Sequence, residues 1–149
     1  MAYGEGDTSF QTAGGDLGLR QLSDAFYDHM LREPQAQKIL TMHPEDLEQS
    51  RDKLARFLCG WLGGPSRYNE KYGRINIPAA HRHLDVGDAE REAWLLCMAK
   101  AIDEQPYPGE FKTYLLDQLA VPAQAVQRVS QRRQNEEAEQ GQSMDNDAS

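Results

Sequence analysis

The residues with the widest chemical reach are four histidines, His29, His43, His81 and His83, two cysteines, Cys59 and Cys97, and two aromatic residues with polar tips, Tyr27 and Trp94. In an extended stretch, His81 and His83 would share one side of the backbone and could begin a metal site. Two further ligands would still be needed. His29 and His43 are available, but no cysteine pair or carboxylate cluster converges with them in sequence, and His29 and His83 read most simply as solvated or capped residues. Gly14-Gly15 and Gly63-Gly64-Pro65 lack the following lysine or the G-x-G-x-x-G spacing of phosphate-cradling loops, so nucleotide binding is unsupported. A Cys-x-x-Cys-His attachment motif is absent too. Tyr27 and Trp94 each fall on an amphipathic segment, where an aromatic residue ordinarily belongs to the core and its polar atom finds a buried acceptor.

The elements that would position these residues are helical. Leu19, Leu22, Phe26 and Met30 recur at three- and four-residue steps, which predicts a helix over 16–32 that Glu33-Pro34 ends. A second helix follows Pro44, with Leu47, Leu54, Phe57, Leu58 and Trp61 on or beside one face, and Gly63-Gly64-Pro65 stops it. Residues 66–87 read as a long loop with at most one short helix, around His81. Asp88 is placed to cap a third helix over 89–104, with Trp94, Cys97, Met98, Ala101 and Ile102 inward. A fourth pattern runs over 110–133 through Phe111, Leu115, Leu119, Val126 and Val129, and Pro122 is expected to kink or split it. The only strand-like run, Arg74-Ile75-Asn76-Ile77, is cut off by Pro78. The class is all-α.

Composition narrows the function. The 149 residues suffice for one domain, with 39% hydrophobic types and a net charge of −8. Residues 134–149 carry five acidic residues and no basic one, and so hold five of those charges. They read as a disordered acidic tail. The weakly acidic remainder argues against nucleic acid or an anionic membrane as the main partner, since both are held chiefly by Lys and Arg. No apolar run reaches the ~18 residues of a membrane span, and the first twenty residues have neither a basic start nor an apolar centre. With two cysteines there is no disulfide framework, and a cytoplasmic location is expected.

Five separated stretches, taken in order, resemble the group II truncated haemoglobins: Phe26-Tyr27; Met42-His43-Pro44-Glu45-Asp46-Leu47; Trp61-Leu62-Gly63-Gly64-Pro65-Ser66-Arg67-Tyr68; His81; and Glu90-Arg91-Glu92-Ala93-Trp94-Leu95-Leu96-Cys97-Met98. The resemblance covers about residues 10–130. It implies a truncated globin, a two-over-two helical sandwich around non-covalent haem b, as a domain over 1–133 preceded by an arm at about 1–12. The long loop would then carry the proximal iron ligand to the far side of the haem. By register that ligand is His81, thirteen positions before Trp94, with His83 two residues out of step.

The same resemblance puts Tyr27, His43 and Trp94 at the distal polar positions, and Ser50, Leu54 and Phe57 on the helix face over the haem. Ser50, too short to reach the iron, stands where vertebrate globins carry a distal histidine. Ala80 precedes the proximal histidine where a basic residue is frequent, so Tyr68, Lys71 or Arg82 would contact the haem propionates. The function implied is reversible binding of oxygen, carbon monoxide or nitric oxide, with Tyr27, Trp94 and His43 donating hydrogen bonds to the ligand. Two other classes stand beside it: an enzyme turning over nitric oxide or peroxide with electrons from a reductase, and a haem sensor or interaction module using the acidic tail. A monomer or weak dimer is expected.

Overall fold

A computed structural model of the chain describes residues 2–147, with side chains as far as residue 140. Among these residues the regular structure is helical throughout: α1 (Thr8–Thr12), α2 (Gly15–Arg32), a 3-10 turn (Pro34–Ala36), α3 (Gln37–Thr41), α4 (Glu48–Trp61), α5 (Arg67–Tyr72), α6 (Ile77–Ala80), α7 (Asp88–Asp103) and α8 (Gly109–Asp147).

Helix α2 is the hub. Its stripe of Leu19, Leu22, Phe26 and Met30 is fully buried, each such side chain contributing about 1.5–3 kcal/mol of burial free energy. That stripe packs on α4 along one side and on α7 along the other, while α8 packs on α7. The result is two helix pairs crossed face to face, the two-over-two sandwich implied by the resemblance. Helix α5 lies against α4 and α6 lies against α8, but α4 and α8 are not packed on each other.

Polar bonds fix α4 on α2. The buried Ser23 hydroxyl donates to the Arg51 carbonyl at 2.8 Å, and the Arg51 guanidinium donates to the Asp24 carbonyl and the Asp28 carboxylate, each at 2.9 Å. At the other end of α4 the glycine pair explains itself. Gly63 has φ +91°, and a β-carbon there would come within 2.0 Å of the Gly6 carbonyl oxygen. A β-carbon on Gly64 would meet the Phe10 ring at 2.5 Å. The N-terminal arm is thus seated on the body, with Ser9 and Phe10 buried and Tyr3 edge-on to Phe111 at 5.0 Å.

Three expectations are corrected. The 66–87 stretch holds two short helices, α5 and α6, and His81 closes the second as its C-cap. Pro122 does not split the last helix: α8 is continuous across it. The carbonyl that loses its partner there belongs to exposed Gln118, where water can serve instead. The acidic tail does not leave the helix at Arg133 either. Helix α8 runs on to Asp147, through Ala, Glu and Gln residues that favour the state, with an Arg133–Glu137 ion pair one turn apart at 3.0 Å. Residues 148–149 of that tail lie outside the described structure.

Candidate functional site

Leu54, Phe57 and Trp61 on α4, Trp94 on α7 and Leu116 on α8 pack against the core yet stay only partly buried. On α4, Ala55, Leu58 and Cys59 are buried toward the core, while Leu54, Phe57 and Trp61, one and two turns apart on an adjoining face, stay half-exposed. Trp94 on α7 and Leu116, Val126 and Val129 on α8 are likewise only half-buried. Water is a poor partner for such a surface, which calls for a flat apolar occupant.

Four polar atoms belong to this region, and none is bonded to another described protein group. The Tyr27 residue is 6% exposed, yet its hydroxyl is neither hydrogen-bonded nor sealed from access; the same holds for the Trp94 indole N–H and for Nε2 of both His43 and His81. The rings connect in sequence. Phe26 lies 5.0 Å from Tyr27 and 5.1 Å from Trp94, and Tyr27 meets His43 edge to face at 5.5 Å. Burial lowers the His43 pKa, the Ile39 carbonyl opposes that shift, and a charge on His81 would lower it further, so the two imidazoles sense each other. Burial raises the Tyr27 pKa against the opposing charge of Arg51, whose guanidinium lies 6.0 Å from the ring centre. The Tyr27 hydroxyl therefore keeps its proton.

His81 Nδ1 lies 2.7 Å from the Ile77 carbonyl, which can only accept, so Nδ1 carries a hydrogen and Nε2 is the nitrogen left without a protein partner. His83 is exposed and makes no such bond. Helix α8 anchors the loop just beyond His81. The Ser130 hydroxyl, fully buried, accepts from the Val86 N–H at 2.9 Å and donates to the Leu84 carbonyl at 2.6 Å. Gln127 joins Asp88 at 2.7 Å and Arg91 at 2.8 Å, Arg133 pairs with Asp85, and Arg82 pairs with Glu136 at 2.7 Å.

The remaining sequence candidates distribute themselves. Ser50 sits in the first turn of α4, ahead of Leu54 and Phe57 on the same helix. His43 follows the end of α3, five residues before α4 begins, rather than opening a helix. Tyr68 lies against Tyr72 on α5 at 5.1 Å. Lys71 is bonded to Asp52 at 2.9 Å, and Arg82 to Glu136, so the chain's own carboxylates already engage both cations. Burial would raise the Asp52 pKa, but hydrogen bonds from Tyr72, Lys71 and Arg56 outweigh it and hold the group at about 2. Sequence reasoning missed Ser130, Gln127 and Asp52. A serine and a glutamine set among Val126 and Val129 on an apolar stripe were the available signal for the first two. His29 faces Glu104 at 2.5 Å, away from the four polar atoms. Two open surface recesses, of about 500 and 450 Å³, flank the outer side of the 82–87 loop and α8, lined mainly by charged and polar side chains and by none of the four.

An all-helical two-over-two sandwich of this kind is the fold of the truncated globins. The chain belongs to the bacterial-like globin family, whose model matches residues 8–128. It is 32% identical over 114 residues to the group 2 truncated hemoglobin of Bacillus subtilis, covering 76% of this chain and 83% of that one. Among solved structures, the group II 2-on-2 hemoglobin of Agrobacterium tumefaciens aligns with a TM-score of 0.76 at 34% identity, over 80% of this chain and 93% of that one. The truncated oxygen-avid haemoglobin of Bacillus subtilis aligns at 0.71 and 30% identity, over 79% and 97%. The cofactor of the family is haem b with its iron, and the partly buried apolar faces and the donor set described above fit it. No helix among the described residues is long and apolar enough to cross a membrane.

Proposed function

We propose that this chain binds oxygen and other diatomic gases reversibly on a haem held by His81 alone on the proximal side. The observation that carries the reading is the bare Nε2 of His81, with its Nδ1–H committed to the Ile77 carbonyl, opening on the region where the Tyr27 hydroxyl and Trp94 N–H also lack protein partners. When bound, haem supplies an iron that takes one histidine on one face and a gas on the other. The chain's own residues do the rest. The Ile77 carbonyl fixes the His81 tautomer and makes the ring more basic. Leu54, Phe57 and Trp61 keep water off the apolar face. Tyr27 and Trp94 offer two fixed donors from different helices toward a ligand that gathers partial negative charge, the arrangement that stabilises charge in an oxyanion hole. Each such bond contributes about 1 kcal/mol, so the pair slows gas release by roughly one to two orders of magnitude. The oxygen avidity named for the Bacillus subtilis structure supports that direction.

Tyr68, Lys71 and Arg82 remain our choices for the propionates, with Lys71 and Arg82 exchanging Asp52 and Glu136 for them. Free Cys59 and Cys97, both buried, suit a reducing cytosol. Turnover of nitric oxide or peroxide would need electrons from a separate reductase, and no observation favours it over plain binding. The visible spectrum tests the proposal. A Soret band that shifts on adding carbon monoxide is expected. His81→Gly should lose haem or recover it only with added imidazole, whereas His83→Ala should leave the spectrum unchanged. The reverse pattern would move the ligand to His83, and the absence of any Soret band in the parent would end the reading.

A further inference from the structure

We propose that His43 enters the gas pocket as a hydrogen-bond acceptor, and that it is a positioning residue which competes with the bound gas for the single proton of the Tyr27 hydroxyl. This deepens the haem reading above and rests on it. It also reverses the donor role expected of His43 from the sequence.

The argument begins at the other nitrogen. His43 Nδ1 lies 2.8 Å from the Ile39 carbonyl oxygen. A carbonyl has no hydrogen to give, so Nδ1 must be the protonated nitrogen. A neutral imidazole has one N–H, and here it is used. Nε2 is left as a lone pair. The ring is partly buried and no carboxylate bonds it; its neighbours are Tyr27 from α2, the Ile39 carbonyl from α3, and His81 at the end of α6.

The aromatic ring packed on His43 is that of Tyr27, and no hydrogen bond joins the two side chains in this structure. The two rings stand edge to face with centroids 5.5 Å apart. The Tyr27 hydroxyl bonds no other described residue, and burial keeps it protonated. It has one hydrogen and two possible acceptors: His43 Nε2 and the gas. Trp94 differs, because its ring packs on Phe26 while the ring packed on His43 is that of Tyr27. Of the two donors, Tyr27 is therefore the one placed to be shared. Removing Nε2 should release the Tyr27 proton to the gas and tighten binding, the opposite of what loss of a donor would do.

Two measurements decide it. The first needs no variant. In chain labelled with ¹⁵N-histidine, both without haem and in the carbon monoxide form, the imidazole spin system with through-space contacts to the Tyr27 ring should show a protonated Nδ1 and a bare Nε2 at neutral pH. A protonated Nε2 overturns the proposal. The second is stopped-flow oxygen release. His43→Phe should slow it by about fivefold, the worth of one neutral hydrogen bond, and the same substitution in a Tyr27→Phe background should change nothing. Unchanged or faster release in the single variant overturns the proposal. So does a six-coordinate low-spin spectrum of the gas-free ferrous parent, which would put Nε2 on the iron. A chain that takes up no haem fails the reading beneath, and the tautomer in the haem-free chain still answers for His43.

Discussion

At the scale of single residues, the site is governed by which hydrogens are already spent. Ile39 and Ile77 supply two equivalent carbonyls, and each commits the Nδ1–H of one histidine. On the proposed reading one ring serves a metal and the other a proton donor, and Tyr27 and Trp94 address one acceptor from different helices. Tyr27→Phe and Trp94→Phe should each speed oxygen release by roughly threefold to tenfold, and the double variant should fall short of their product, because two bonds to one acceptor share its charge. Unchanged rates in both single variants would make these aromatics core filler. A second residue-scale expectation concerns Asp52, whose folded pKa of about 2 lies below its unfolded value of about 4. A depressed carboxylate contributes stability that is complete above the unfolded value and is lost as pH falls toward the folded one. The urea midpoint of the parent should therefore exceed that of Asp52→Asn at pH 5, with the gap narrowing by pH 3. An unchanged gap would mean that Tyr72, Lys71 and Arg56 do not lower the carboxyl in solution.

At the scale of elements, what was legible in the sequence depended on whether an element carries its own periodic stripe. Helices α2, α4 and α7 do: α2 and α7 fall within a residue of the expected 16–32 and 89–104, while α4 begins at Glu48, later than the start after Pro44 that counted Leu47 on its face. Helices α5 and α6 are six and four residues long, with no buried residue between them, so no stripe could announce them. The passage across Pro122 was misread because a proline's cost depends on whether the freed carbonyl can reach water, and composition does not show that. The site divided similarly. Resemblance placed His81, Tyr27 and Trp94, but the tautomers are set by backbone carbonyls, which have no sequence signature. The clamp on the proximal loop was hidden for the same reason: Ser130 meets the backbone of Leu84 and Val86, forty-six and forty-four residues away. Ser130→Ala would leave a buried N–H and a buried carbonyl unpaired, at a cost of about 1–3 kcal/mol for each group left unsatisfied. Thermal unfolding should show that loss. If the clamp also positions His81, haem transfer to excess apomyoglobin should quicken several-fold and the iron–histidine stretch should broaden, neither of which a loss of stability alone requires.

At the scale of the whole molecule, the chain splits into a body whose contacts are buried and a helical extension whose contacts, among the described residues, are exposed. The body closes on itself through Tyr3 on Phe111, Phe10 under Gly64 and Ser130 in the proximal loop. Beyond Arg133, the extension meets the body mainly through the Arg82–Glu136 pair, whose side chains are 54% and 49% exposed, and a long Gln134 contact to Asp85. Exposed pairs contribute about 0–1 kcal/mol each and are screened by salt. The helical state of the extension thus draws on continuation from the anchored part of α8, where no new nucleus is needed, and on the Arg133–Glu137 pair rather than on packing. Removing residues 134–149 should therefore leave the fold and haem uptake intact and lower the melting temperature by only about 1–4 °C, shrinking further in high salt. The same truncation removes Glu136 from Arg82, the residue next to His81. A fall in melting temperature well beyond that range, or failure to take up haem, would show that the acidic extension packs on the body more tightly than two exposed side chains allow.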